Sequence, residues 1–220
     1  MAIKPILFNT EMVRASLDGR KSCTRRIVKP QQLIGMLPDK CKNGAPEEFL
    51  KEKKLMFKPY CDMTDIELIN TAYKAPYQPG DILYVRETWC DDRQFTHEDT
   101  PGRYFYKASE SDDFISKWRP SIHMPKEAAR IWLKVKDVRV ERLQDITDED
   151  CEKEGLENYC KKCHALFSNC DTCLNDGGIK EDFKELWNST IKKSDIGRYG
   201  WDANPYVWVI EFERCEKPED

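Results

Sequence analysis

Apolar and polar residues alternate most regularly in "RIWLKVKDVRVERL". Ile131, Leu133 and Val135 share one phase, and Val138 and Val140 resume one residue later. A period of two marks a half-buried strand, and a one-residue slip inside it marks a bulge near Lys136-Asp137. A second clear strand is "NPYVWVIEFERC", in which Val207, Val209 and Glu211 alternate with Trp208, Ile210 and Phe212. Shorter strands are expected in "IKPILFN", in "CTRRIVKP" up to Pro30, in "RYFYKA", and over Ile82 to Arg86 after the Pro79-Gly80 turn.

Helical spacing appears in three places. "NTEMVRASLDG" offers Asn9 or Thr10 as a cap, a less polar face of Met12, Val13, Ser16 and Leu17, and Gly19 as its stop. "ITDEDCEKEGL" pairs a Thr147 cap with acids in the first turn, where the helix dipole favours them, and ends at Gly155. "IKEDFKELWNSTI" is amphipathic through Phe183, Leu186 and Trp187. Residues 31 to 76 are charged and irregular and read as an insertion. Within it "PEEFLKEKKLMF" suits a helix and "TDIELINTAY" a helix or a strand. "WRPSIHMPKEAA" reads as loop. This order fits neither regular βαβ alternation nor a helical bundle. It predicts a single α+β domain over 1–220, a small mixed β-barrel with flanking helices.

Composition narrows the picture. In 220 residues, 40% are hydrophobic and 35% charged, so a core sits beside extensive solvated surface. A net charge of −4 disfavours wrapping of long duplexes through phosphates. The basic residues nevertheless cluster, at Arg20, Lys21, Arg25, Arg26 and Lys29. No apolar run reaches membrane-span length, and "MAIKPILFNTEM" lacks a signal-peptide core, so a cytoplasmic protein without membrane partners is expected. In that reducing compartment cysteines are thiols or metal ligands.

Four of the ten cysteines have metal-ligand spacing. "CKKCHALFSNCDTC" places Cys160, Cys163, Cys170 and Cys173 as C-x2-C-x6-C-x2-C. Two such knuckles suit one tetrahedral zinc, and four thiolates leave no position for water, which makes the expected site structural. An iron–sulfur cluster, free thiols or a disulfide are the alternatives. The knuckle spans about 158–175, with His164 a neighbour and not a ligand. The remaining cysteines, Cys23 among them, read as buried apolar residues.

The basic turn "DGRKSCTRR" raises the question of chemistry. Lys21 becomes a general base if burial or nearby cations lower its pKa, and Thr24 is then a nucleophile. The plain alternative is a solvated basic turn. In an ideal strand residues 21 and 24 face opposite sides, so only a turn brings them together.

"PILFNTEMVRASLDGRKSCTRR", "QPGDILYVRETW", "VRVERLQDITDEDCEKEGL" and "NPYVWVIEFER" together resemble the ASCH-domain proteins of the PUA-like superfamily, especially the longer phage and prophage versions. The resemblance leaves out residues 31 to 75 and the cysteine knuckle. It implies a small barrel with a cleft beside the G-x-K-x-x-T turn that binds RNA or nucleotides. A small bacterial member removes the acyl group from N(4)-acetylcytidine. Its catalytic lysine, threonine and glutamate are similar to Lys21, Thr24 and Glu154 here. The resemblance further implies that Arg20, Arg25, Arg26 and Arg86 hold phosphate or a developing oxyanion, and that Trp89 either stacks on a base or fills the core. Gly80 and Asp81 match the turn before the central strand. Trp201 and His123 read as packing and loop residues. Three functions are therefore weighed: an amidohydrolase of acylated nucleosides, a non-catalytic reader of RNA or modified nucleotides, and a phage accessory module binding a host or phage protein.

Overall fold

The phase slip after Val135 is a bulge in the computed structural model of the chain, with the register shift between Val135 and Asp137. The structure describes residues 1–29, 64–91, 104–110, 117–159, 166 and 178–218. In chain order the elements are β1 (Ile3–Leu7), α1 (Thr10–Leu17), β2 (Cys23–Ile27), α2 (Asp65–Ala72), β3 (Ile82–Arg86), β4 (Trp89–Asp91), β5 (Tyr104–Tyr106), β6 (Trp132–Arg142), α3 (Asp148–Lys153), α4 (Gly178–Thr190), α5 (Ile196–Tyr199) and β7 (Tyr206–Cys215).

Five strands form one sheet in the order β1-β3-β6-β7-β2, and β4 pairs with β5 separately. The fold is α+β, as the sequence predicts. The expected closed barrel is not formed. Among the described residues β1 pairs only with β3, in parallel, and β2 pairs only with β7, antiparallel, so the two stay apart as the sheet edges. Pro5, which has no N–H for a ladder, sits on the β1 edge where it costs least. In place of a backbone ladder, the Arg26 side chain reaches across from β2 and donates from Nη2 to the Leu7 carbonyl at 3.2 Å.

The alternation in β7 is apolar on both faces because both faces are covered. Trp208, Ile210 and Phe212 join Ile6, Leu83, Val85 and Leu133 on one side, with Val13 of α1 and Ile69 of α2. Val207 and Val209 join Cys23, Leu143, Ile146 and Cys151 on the other, beneath Ile179, Phe183 and Trp187 of α4. Each such large side chain contributes about 1.5–3 kcal/mol on full burial. Residues 64–76 belong to this body and not to an excursion: Ile69 and Tyr73 are part of the first core.

The caps follow the sequence closely. Asn9 accepts from the Met12 N–H, and Thr147 and Asp150 form a reciprocal capping box. No helix among the described residues is long and apolar enough to cross a membrane.

Candidate functional site

The unzipped edge between β1 and β2 is where the candidate site lies. A cavity of about 320 Å³ opens there. Thr24, Arg25, Arg26 and Ile27 of β2 form its floor, Leu7 and Asn9 close one side, and Glu154 closes the end. Phe183, Leu186, Trp187 and Ile191, on and just after α4, form an apolar wall opposite. Pockets that hold small ligands combine such walls with a few convergent polar groups.

Strand alternation aims the backbone of β2. Val28 N–H and Ser22 C=O bond toward β7, so even-numbered residues face the sheet and odd-numbered ones face the open edge. Two of the edge carbonyls are taken by side chains: Cys23 O accepts from Lys21 Nζ at 2.8 Å and Arg25 O from Arg26 Nη1 at 2.9 Å.

Lys21 is wholly buried, its side chain 0% exposed. The turn is folded by bonds to α1 and α3. Arg20 and Lys21 both donate their N–H to Ala15 O, and Ser22 N–H donates to Lys153 O. Gly155 makes the approach possible. Its φ is +99°, and a Cβ there would lie 2.6 Å from Ala15 Cβ and 3.3 Å from Lys21 Cβ. Glycine is therefore required twice, for conformation and for space.

With α3 held this close, Glu154 and Lys21 meet across 133 residues of sequence. Nζ donates to Glu154 Oε2 at 2.8 Å and to the Glu154 carbonyl at 2.8 Å, which with Cys23 O uses all three ammonium protons. Burial pulls the Lys21 pKa below its ordinary value; the Glu154 charge and hydrogen bond oppose that pull without cancelling it. Glu154 Oε1 in turn accepts from Arg25 Nη1 at 3.2 Å.

Arg25 is a structural hub. Its side chain is 1% exposed, and Nη2 bonds Asp150 at 3.2 Å and Glu141 at 3.4 Å. Its Nε is buried without a partner. Burial works to raise the Asp150 pKa, but the Arg25 guanidinium and the Thr147 bonds prevail and hold it below the usual aspartate value. The guanidinium that the resemblance assigns to phosphate is thus committed to three carboxylates.

Thr24 lies on the cavity floor with no exposure to bulk solvent. Its Oγ1 accepts from Arg26 Nη1 at 2.8 Å and makes no bond to Lys21. Thr24 and Lys21 are thus neighbours around Glu154 and Cys23, not a bonded pair. Arg26 has no carboxylate partner among the described residues and lines the cavity.

The remaining assignments fall elsewhere. Arg20 turns outward, bonding Asp18 and the Gly155 carbonyl. Arg86 pairs in register with Leu7 but does not line the cavity; its guanidinium bonds Ile122 O and lies 5.5 Å from the Tyr84 ring centroid. Trp89 is 3% exposed in a third apolar cluster with Tyr84, Met124 and Trp132, so it offers no free face to a base. His123 is exposed in a short turn after β5. Trp201 packs edge-on against Phe183.

Cys23 is buried and its thiol is pushed up to about 12, first by burial and then by the Glu154 charge, which excludes a thiolate nucleophile at neutral pH. Cys160, Cys163, Cys170 and Cys173 lie outside the described residues, as does His164. Among the described residues no group of three or more His, Cys, Asp or Glu side chains is placed to hold a metal.

Sequence reasoning missed Glu141, Asp150 and the α4 wall. The wall was visible as the apolar face of "IKEDFKELWNSTI", but its 3.6-residue spacing reads equally as core. Comparison with protein-family models, curated proteins and solved structures returned no match for this chain.

Proposed function

We propose that the cavity between β1, β2 and α4 binds a nucleoside or nucleotide, free or within RNA, as in the ASCH domains that the chain resembles. The observation that carries this reading is the pairing of a polar floor, with Thr24 and an Arg26 that has no ion-pair partner among the described residues, against an apolar wall of Phe183, Leu186 and Ile191. A base fits such an asymmetry: its faces take the apolar wall while its edge and the attached sugar or phosphate take the donors. The PUA-like kinship rests on the same residues, with the barrel left open at the cleft.

A hydrolytic use of the same site has its own support. A cationic donor on Thr24 Oγ1 stabilises a developing alkoxide. Lys21, its pKa lowered by burial, is the nearby base, and Glu154 orients it. In the step proposed, the neutral Lys21 amine takes the Thr24 hydroxyl proton as Oγ1 attacks the acyl carbon of an N-acylated base. Lys21 then returns the proton to the departing amine, and water hydrolyses the acyl-threonine. The step requires Nζ to leave Cys23 O for Thr24 Oγ1. Backbone N–H groups of Arg25 and Ile27, on the open edge by strand alternation, are the donors for the oxyanion. The zinc knuckle is proposed as a structural staple only.

Incubation with N(4)-acetylcytidine and related acylated nucleosides, read by mass spectrometry, tests hydrolysis. Turnover that is lost in Lys21→Ala and Thr24→Ala supports it, and normal turnover by Lys21→Ala ends the assignment. Calorimetric titration with cytidine monophosphate tests binding; no heat at millimolar ligand overturns the cleft reading.

A further inference from the structure

Arg26 and Ile27 line two cavities. On one side is the cleft at Thr24; on the other a groove of about 360 Å³ bounded by Lys29, Lys74, Tyr77 and Trp208. A further hollow of about 630 Å³ continues it past Trp208 and Lys74 toward Gln78. Arg26 and Ile27 thus stand between the cleft and hollows that continue along the sheet beside α2.

Its chemistry departs from the rest of the surface. The chain carries 40 acidic against 36 basic residues, yet among the described residues no Asp or Glu lines either hollow. Lys29 and Lys74 are exposed, and neither has a carboxylate partner among the described residues. Lys29 Nζ sits 5.5 Å from the Tyr199 ring centroid, so even its near neighbour is uncharged. Several cations elsewhere are neutralised: Lys4 by Asp81, Arg119 by Asp91, Arg130 by Glu87 and Arg139 by Glu211. Arg26, Lys29 and Lys74 beside Tyr73, Tyr77 and Trp208 match the general design of single-strand grooves, in which basic side chains track the backbone and rings pack against bases.

We infer that this groove holds the nucleotides flanking the one in the cleft, so that the natural ligand is a single-stranded polynucleotide and not a free nucleoside. This rests on the nucleotide reading of the cleft. Arg26 takes the phosphate at the junction, and Lys29 and Lys74 take the next ones.

The test is binding of a fluorescent eight-nucleotide single-stranded RNA of mixed sequence, with cytidine monophosphate as reference, by the wild type and by the Lys29→Ser/Lys74→Ser variant. Both lysines are exposed and outside the core, so folding is retained. The octamer is expected to bind the wild type far more tightly than the mononucleotide. The variant is expected to bind the octamer several-fold more weakly, and to lose about 1.4 from the slope of log affinity against log salt, at about 0.7 for each of two phosphates on a single strand. Its mononucleotide affinity is expected to stay unchanged. If the mononucleotide binds but the octamer gains nothing, or if the variant keeps the full slope, the groove assignment fails while the cleft reading stands. If the mononucleotide does not bind the wild type, the cleft reading itself fails. Equal binding of a blunt duplex also overturns the groove.

Discussion

Replacing Glu154 with Gln removes one charge from the centre of the buried network while keeping its shape. In the native protein the carboxylate lies 2.8 Å from Lys21 Nζ and 3.2 Å from Arg25 Nη1. At an effective dielectric near 20 these contacts are worth about 6 and about 5 kcal/mol in gross Coulomb terms. Most of that offsets the cost of taking three ions out of water. Leaving Lys21 buried without its partner is expected to cost about 3–5 kcal/mol net, a large share of the roughly 5–15 kcal/mol of a typical domain. The pH dependence separates this from a simple packing defect. The Lys21 pKa is already lowered on folding, so between its folded value and 10.5 the unfolded chain binds more protons, and stability rises with pH across that window. Without Glu154 the pKa falls further and the window widens downward. The variant is expected to recover part of its loss as pH rises through that window and Lys21 deprotonates. Urea melts of wild type, Glu154→Gln, Lys21→Met and the double variant at four pH values measure this. A loss under 1 kcal/mol, or a loss that does not vary with pH and is not relieved by Lys21→Met, refutes the argument.

Three further outcomes are expected. Gly155→Ala meets both a positive φ of +99° and Ala15 Cβ at 2.6 Å, and is expected to destabilise by at least the roughly 1–3 kcal/mol of a strained backbone, read as a lowered urea midpoint. Cys23 and Cys151, both buried with thiols pushed up to about 12, are expected to resist iodoacetamide at pH 8 in the folded protein and to react in urea, as peptide mass mapping will show. The purified protein is expected to carry one zinc per chain by elemental analysis, lost in Cys163→Ser; a metal-free wild type purified under reducing conditions ends the zinc assignment.

Much of the fold was legible because its signals are local. The bulge, the caps at Asn9 and Thr147 and the apolar alternation of β7 each occupy a few adjacent residues, and each is where the pattern puts it. Closure of the sheet was not legible. Whether β1 zips to β2 depends on what α1 and Arg26 place between them, and no periodicity reports that. For the same reason "TDIELINTAY" read as part of an insertion: the contact of Ile69 with the sheet is long-range. Lys21, Thr24 and Glu154 were nameable from the sequence; Thr24 and Glu154 line one cavity, and Lys21 is buried behind it, bonded to Glu154. The roles of the arginines were not. Arg25 and Arg26 are adjacent and chemically identical, but the twofold alternation of a strand sends one into three carboxylates and the other into the cleft.

That alternation also bears on what the site can do. A closed barrel would spend the odd-numbered backbone groups of β2 on β1. Because the sheet stays open, Cys23 O and Arg25 O hold Lys21 and Arg26, and the Arg25 N–H between them faces the edge beside Thr24. The two cations are placed by main-chain atoms and so move little when side chains around them change. Glu154 adds the charge that Lys21 needs to be buried at all. Among the described residues Arg26 has no carboxylate within ion-pair distance and lines the cavity, whereas Lys21 is bonded to Glu154 behind it. On the proposed reading Arg26 serves both binding and hydrolysis, whereas bond breaking further requires Lys21 to exchange Cys23 O for Thr24 Oγ1, so Lys21→Ala is expected to abolish turnover while cytidine monophosphate binding persists, as calorimetry beside the mass-spectrometric assay will show.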